Sequence, residues 1–173
     1  VPSTSVCLGK YPVTVEEFAR FVEDGGYQRE EFWSDEDGWL FRIKRGWESP
    51  SRWDTGLQVP NRPVTGVSWF EAMAYCRWLS AEYPHWRVRL PTQTEWMAVA
   101  SPDGRPYPWG DVKPDELRAN FGKRVDSPTP VGIYPAGAGK YGHHDLSGNV
   151  QEWSLDVDRD VKSTDKQLRD WRH

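Results

Sequence analysis

Hydrophobic positions recur at helical spacing in three stretches of the chain, and each stretch opens with the same polar signal. Thr14, Ser68 and Thr92 are each followed three residues later by a glutamate, which is the pattern of a capping box. Apolar side chains then follow at intervals of three and four residues, as one face of a helix requires. The pattern predicts three helices, at residues 15–24, 69–83 and 95–100.

Strand signals are short and are separated by long loops. Apolar and polar residues alternate at 87–90 and at 130–134, and residues 64–67 are a third candidate. The stretch from Trp33 to Asn61 has neither a helical nor a strand period, and loops of that length are usually functional or held by specific contacts. These signals predict a single α+β domain that is rich in loops.

Composition supports a folded domain and argues against nucleic acid and membranes as its partners. The chain has 173 residues, of which 37% are hydrophobic and 28% charged, as in globular proteins. It contains 11 Trp, 14 Pro and 15 Gly, so we expect irregular segments pinned by large rings. The net charge of −4 without a basic tract argues against nucleic-acid binding. No signal peptide or stretch of ~18 apolar residues is visible, so we expect no membrane contact. Two cysteines are too few for a disulfide framework, which favours a cytoplasmic over a secreted protein.

The residues offer little conventional catalytic chemistry. Cys7 and Cys76 are too few for a disulfide framework, and Cys76 lies among apolar residues of a predicted helix, as a buried thiol would. His143 and His144 are adjacent, a spacing that rarely supplies two ligands to one metal, so we expect them to pack within a loop. No nucleophile elbow or phosphate-binding loop is present.

Six blocks, in order along residues 10–153, together identify a family. They are YPVTVEEFARFVEDGGY, RPVTGVSWFEAMAYCRWLS, RLPTQTEWMAVAS, YPWGD, ANF followed by TPVG, and DLSGNVQEW. This series resembles the formylglycine-generating enzyme (sulfatase-modifying factor) family, and the resemblance implies a C-type-lectin-like fold with little regular secondary structure. The family includes oxidases that convert a sulfatase cysteine to formylglycine, domains of sulfoxide synthases, and variable proteins of diversity-generating retroelements that only bind. The fold therefore leaves the function open.

The chain departs from the family pattern after Trp153. The resemblance implies an RGGSW block and two copper-binding cysteines there, and the residues that follow contain neither; Gln151 also replaces the usual Trp. Copper(I) prefers soft thiolates, so we expect no copper and no catalytic residue in this chain. We divide it into a family domain at 1–155 and a charged C-terminal segment at 156–173, which is either a tail or the truncated end of the domain.

Three interpretations of function remain. The first is a non-catalytic module that binds or senses a protein or small-molecule ligand, joined to neighbour domains in a longer chain. The second is a sulfatase-modifying oxidase whose catalytic C-terminal segment is missing from this sequence. The third is the accessory domain of a sulfoxide synthase.

A candidate calcium site lies around Gly148. Asp145 and Glu152 flank this glycine, and a hard cation takes carboxylate oxygens together with backbone carbonyls of a turn. The alternative is a hydrogen-bonded turn without a metal. The family resemblance implies calcium here, bound by Asp145, Glu152 and the carbonyls of Gly148 and Val150, with a role in stability.

The resemblance also implies a second calcium site. It would begin at Asn120 and Phe121 and close on an acidic loop that is shortened here, where Asp126 is the remaining candidate.

Nine of the 11 tryptophans fall into two groups by their surroundings in the sequence. Those in the family blocks are predicted to be structural: Trp69, Trp78, Trp96, Trp109 and Trp153. Those in the 33–61 loop are candidates for a binding surface, together with the segment after Trp153, because aromatic and Arg-rich loops resemble interface hot spots: Trp33, Trp39, Trp47 and Trp53. The alternative for this second group is that the rings only hold the loop in place.

Overall fold

A computed structural model describes residues 6–33, 36–51, 53, 59–122 and 125–156. Its α helices, in chain order, are α1 (Val15–Glu23), α2 (Glu36–Arg45), α3 (Trp69–Glu82) and α4 (Gln93–Ala100). Short 3-10 helices cover Glu30–Phe32 and Pro135–Gly137. None of the helices in the described ranges is long and apolar enough to span a bilayer. The charged segment predicted at the C-terminus lies outside the described residues from position 157 onward.

The three capping boxes form as the sequence predicts. In α1, the Thr14 hydroxyl accepts a hydrogen bond from Glu17 N, and the Glu17 carboxylate accepts one from Thr14 N at 2.8 Å. The same reciprocal pair opens α3 at Ser68 and α4 at Thr92. Each box satisfies two backbone N–H groups that have no partner within the helix. Because Thr92 is the cap, α4 begins at residue 93, two residues before the predicted start.

Helix α2 was not predicted. It lies inside the stretch that we interpreted as a loop without a period. Its apolar side chains do not form one face: Trp39 and Phe41 pack against the core, while Leu40 and Ile43 are exposed. Gly38 also lies in its first turn, and glycine is a poor helix former. A helix with this pattern depends on tertiary packing and carries little local signal.

The predicted strands do not form in the part of the chain that the structure describes, where only two isolated bridges occur, Thr14–Pro63 and Tyr107–Gly110. Glycines explain two of the three cases. Gly66 has a φ of 74° and Gly132 a φ of 71°, and such left-handed residues interrupt an extended strand. The third stretch, 87–90, runs without turn or bend but has no ladder partner among the described residues.

The core is an aromatic cluster between α1, α3 and the first 3-10 helix. The ring of Phe18 stacks on Tyr75 at 5.1 Å between centroids, and Phe21, which is fully buried, meets Tyr27, Tyr75 and Trp78 within 6.1 Å. Such ring pairs add to the free energy of area burial. Of the five tryptophans predicted to be structural, Trp69 and Trp78 are buried, and Trp96, Trp109 and Trp153 are partly buried.

A buried carboxylate lies inside this aromatic core. Glu71, in the first turn of α3, is 2% exposed and accepts hydrogen bonds from the Tyr27 hydroxyl at 2.5 Å and from Ser68 N at 2.6 Å. Burial raises the pKa of Glu71 to about 7, against the opposing effect of these two donors. One glutamate thus caps α3 and joins it to the chain after α1.

Candidate functional site

The turn at residues 145–152 is built on three left-handed residues. Asp145 has a φ of 58°, Asn149 a φ of 63° and Gly148 a φ of 105°. Asp and Asn tolerate such backbone angles better than most residues, and the angle of Gly148 is readily adopted by glycine alone. The backbone of the turn thus depends on a glycine at position 148.

Gly148 lets this turn approach a second segment closely. A Cβ atom at this position would lie 2.4 Å from the carbonyl oxygen of Asn120. That oxygen accepts a hydrogen bond from Asn149 N at 2.8 Å. The structure therefore places Asn120, where the second calcium site was predicted to begin, directly against the loop of the first.

The carboxylate of Asp145 is already an acceptor for two donors. Its Oδ2 accepts from Gly132 N at 2.9 Å, and its Oδ1 accepts from the side-chain amide of Asn149 at 3.3 Å. The Asn149 side chain also bonds both the N–H and the carbonyl of Thr129. These bonds tie the turn to residues 129–132, which no local feature of the sequence predicts.

Glu152 lies near enough to Asp145 for their charges to interact. Desolvation raises the pKa of Glu152 to about 7, and the negative charge of Asp145 contributes in the same direction. Glu152 as a whole is exposed, so the shift concerns the surroundings of its carboxylate rather than of the entire side chain. The indole Nε1 of Trp96 is buried and opposes this rise of the Glu152 pKa. Among the described residues, no acceptor lies within hydrogen-bonding geometry of that Nε1.

These residues fit a calcium ion in donor type. Two interacting carboxylates favour a cation between them, and a carboxylate oxygen that accepts one hydrogen bond keeps a lone pair for a metal. The carbonyl of Gly148 accepts from Val150 N at 2.8 Å and keeps a lone pair in the same way. Among the described residues, however, no three His, Cys, Asp or Glu side chains come together around one point. An ion here would draw much of its coordination from carbonyls and water.

The residues predicted for the second calcium site do not come together as the residues of the first site do. Asn120 donates from its side chain to the carbonyl of Ser127 at 3.1 Å, which brings the residue after Asp126 close. Asp126 itself is exposed and Phe121 is partly buried. The hydrogen bond at Ser127 thus closes the loop through an amide rather than through a carboxylate.

The loop tryptophans lie on or in the aromatic core. Trp33 is 3% exposed and donates its indole N–H to the Gly26 carbonyl at 3.1 Å, so its ring is not available to a partner. Trp39, Trp47 and Trp53 are partly buried and pack against the core. This placement favours the interpretation that the rings hold the segment in place, and a binding role for the three partly buried rings stays a prediction.

Among the described residues, four hydrogen bonds hold residues 153–156 to the domain. Trp153 Nε1 donates to Val67 O and Trp69 Nε1 to Ser154 O, both at 3.0 Å. Leu155 N donates to Pro91 O, and the carboxylate of Asp156 accepts from the first backbone N–H of α4, both at 2.8 Å. The sequence carried no signal for this anchor, because its partners are 63 to 86 positions away in the chain.

The adjacent histidines contact the N-terminal segment. His144 N donates to Lys10 O at 2.9 Å and its ring lies 5.1 Å from that of Tyr11, while His143 Nε2 is 3.3 Å from Leu8 O. These contacts agree with the predicted packing role.

Comparison with known proteins gives the family. Residues 3–170 match the family model described as the sulfatase-modifying factor enzyme 1-like domain. The chain belongs to this family. Its sequence is 38% identical to the hercynine oxygenase of Mycolicibacterium thermoresistibile over 162 residues, 34% to the serine/threonine-protein kinase pkn1 of Chlamydia caviae over 160, and 30% to the inactive C-alpha-formylglycine-generating enzyme 2 of Mus musculus over 182. The family resemblance stated from the six blocks is confirmed.

This family domain spans only part of its relatives. The alignments cover 85%, 88% and 83% of the chain but 34%, 23% and 56% of the three relatives, in the same order. Among solved structures, PvdO from Pseudomonas aeruginosa aligns with a TM-score of 0.50 at 26% identity, over 62% of this chain and 45% of that one. The three relatives thus carry different names, and in each of them the aligned domain is only part of the polypeptide.

Proposed function

We propose that this chain is a non-catalytic, ligand-binding part of a larger protein of the hercynine oxygenase type. The observation that carries the proposal is the alignment itself: 38% identity over 85% of the chain, against 34% of the relative's length. A second hercynine oxygenase, from Mycobacterium tuberculosis, agrees, with 38% identity over 163 residues. In this proposal the oxygen chemistry resides in the remaining polypeptide, and the present residues help to form the binding site.

The thiols support a role without chemistry of its own. Cys76 is buried on α3, and burial raises its pKa to about 12, so it stays a thiol at neutral pH. A two-thiolate copper centre cannot form from Cys7 alone. We therefore expect no formylglycine formation when this chain is incubated with copper and a peptide carrying the Cys-x-Pro-x-Arg signal. Detection of the aldehyde by mass spectrometry would support the oxidase interpretation instead.

Calcium has a structural role in this proposal. Asp145 and Glu152, with the carbonyls of Gly148 and Val150, would hold the ion, and Asn120 adjoins them through Asn149. The ion would relieve the repulsion between the two carboxylates and fix the turn that leads to the anchored residues 153–156. We also propose the C-type-lectin-like architecture for the complete domain, which an experimental structure of the longer polypeptide would test.

A titration separates this function from the other family settings. Hercynine, and histidine as the unmethylated control, are titrated by calorimetry into the longer polypeptide that contains this chain. We expect hercynine to bind and histidine to bind more weakly. Absence of hercynine binding would refute the assignment and favour the second candidate, a protein-binding module such as the similarity to pkn1 and to the inactive mouse enzyme suggests.

A further inference from the structure

The connection between α3 and α4 exposes two large aromatic rings. Tyr83 is 55% exposed and Trp86 is 64% exposed, which is unusual for tryptophan. They stand at the two ends of one turn, closed by a hydrogen bond from Trp86 N to Tyr83 O at 2.8 Å. The chain then runs from residue 86 to 92 without turn or bend.

One side of this straight stretch is closed by a serine. The Ser80 hydroxyl of α3 accepts from Val88 N at 2.9 Å, and its single proton faces Val88 O at 3.2 Å and Cys76 O at 2.9 Å. Both backbone groups of Val88 therefore point toward α3. In an extended chain, successive residues present these groups to opposite edges. The backbone N–H and carbonyl groups of Arg87 and Arg89 consequently face away from α3.

That opposite edge consists of the backbone groups of Arg87 and Arg89. Within the described residues, the backbone N–H and carbonyl groups of Arg87 and Arg89 make no hydrogen bond. Pro91, two positions further along the same edge, does accept a backbone hydrogen bond, from Leu155 N at 2.8 Å. Exposed backbone groups of this kind are solvated by water, and an edge that presents them is a template for a further strand. Among the described residues, the edge is thus bonded at Pro91 and unbonded at Arg87 and Arg89.

Of the two arginines along this edge, only Arg87 has no ion-pair partner among the described residues. Arg87 is exposed, and Arg89 is paired with Glu95 through two contacts of 2.6 and 2.7 Å. Like charges opposite each other disfavour pairing of two copies of this edge. An incoming strand with carboxylates at alternate positions would instead face Arg87 favourably, and its apolar residues would pack against Tyr83 and Trp86.

We propose that residues 83–90 form a docking edge for an acidic, extended polypeptide segment, which adds as a strand along Arg87 and Arg89. The exposed rings of Tyr83 and Trp86 anchor one end of that segment. The inference does not depend on the assignment to the hercynine oxygenase type, because it rests on unpaired backbone groups and exposed rings.

Amide hydrogen exchange tests this edge in the chain as it stands. The probe is a synthetic acetylated and amidated peptide of alternating Glu and Val residues, added at saturating concentration. We expect exchange at the Arg87 and Arg89 amides to slow by about tenfold or more, with no change at Val88, whose N–H already has a partner. The same peptide N-methylated along one edge should give no protection, and a Lys–Val peptide should give less.

A matched pair of substitutions locates the contact. Arg87→Pro removes the outward N–H, whereas Arg87→Ala keeps it and removes only the charge. We expect the proline variant to lose peptide binding and the alanine variant to weaken it; the N-methylated peptide decides the matter if the proline variant does not fold. Failure of the Glu–Val peptide to bind, or equal binding of the N-methylated one, would overturn the proposal. Slow exchange of both amides before any peptide is added would overturn it as well, since the edge would then be closed by the chain itself.

Discussion

Replacement of Glu71 by Gln should stabilise the domain at neutral and alkaline pH and lose that advantage in acid. The carboxylate is buried, and burial raises its pKa from the ordinary 4.5 to about 7. A folded-state pKa above the unfolded value means that the native state holds the proton more tightly. The resulting contribution to stability is present below pH 4.5 and is lost as the pH rises through 7. At ~1.4 kcal/mol for each pH unit between the two values, the loss amounts to about 3 kcal/mol.

Gln keeps the surroundings of this group nearly intact. Its amide oxygen can accept from Ser68 N, and its amide nitrogen can donate to the Tyr27 hydroxyl, which then acts as acceptor. Gln is neutral at every pH, whereas the native Glu71 loses its proton as the pH rises. The difference in unfolding free energy between Glu71→Gln and the native chain should therefore move in favour of the variant with rising pH. We expect a change of about 3 kcal/mol between pH 4.5 and pH 8.

Urea unfolding across this pH range measures the difference. Glu17→Gln is the matched control, since it makes the same change at the same position of a capping box that is exposed. Glu71→Ala should instead destabilise the domain by about 3 kcal/mol at pH 4.5, because it removes a cap and leaves the Tyr27 hydroxyl unpaired. That deficit should shrink as the pH rises to 8, since Ala carries no titratable group either and only the native chain loses stability. A difference for Glu71→Gln that does not change with pH, or a large loss of stability at pH 8, would refute the reasoning.

Three further predictions concern the aromatic rings and the acidic turn. Trp78→Ala should cost about 3–5 kcal/mol in urea unfolding, since the ring is buried between Phe21 and Tyr75; a loss below 1 kcal/mol would contradict the core assignment. Double Ala substitution at Trp39 and Trp47 should lower the melting temperature if the rings hold α2 in place, whereas loss of partner binding at an unchanged melting temperature would support the interface interpretation. Chelation of calcium should lower the melting temperature, and Glu152→Gln should reproduce that effect. If the melting temperature of the native chain does not change with chelator, the calcium site is refuted and hydrogen bonds alone hold the turn.

Local signals predicted some parts of this structure and were silent on others. Thr14, Ser68 and Thr92 marked helix starts because a capping box is complete within four residues. Helix α2 escaped prediction because Leu40 and Ile43 interrupt its apolar face. The strand interpretation of residues 130–134 was wrong because Gly132 adopts a left-handed backbone angle and donates to Asp145.

The candidate site likewise has features that the local sequence predicts and features that it does not. The turn chemistry of Gly148 was readable from the sequence, since few other residues adopt its backbone angle. Its close approach to Asn120 and the raised pKa of Glu152 arise from tertiary packing. The same holds for the anchoring of Trp153 on Val67, which joins residues far apart in the chain. Long-range contacts of this kind have no periodicity that a single sequence could reveal.

Consumption of hercynine in the presence of oxygen tests the central claim most directly. It is measured by mass spectrometry for the longer polypeptide and, in parallel, for this chain alone. The account predicts turnover by the longer polypeptide and none by this chain, because the proposed function assigns the oxygen chemistry to the remaining polypeptide. Turnover by the isolated chain, or none by the longer polypeptide under any metal supplementation, would contradict it.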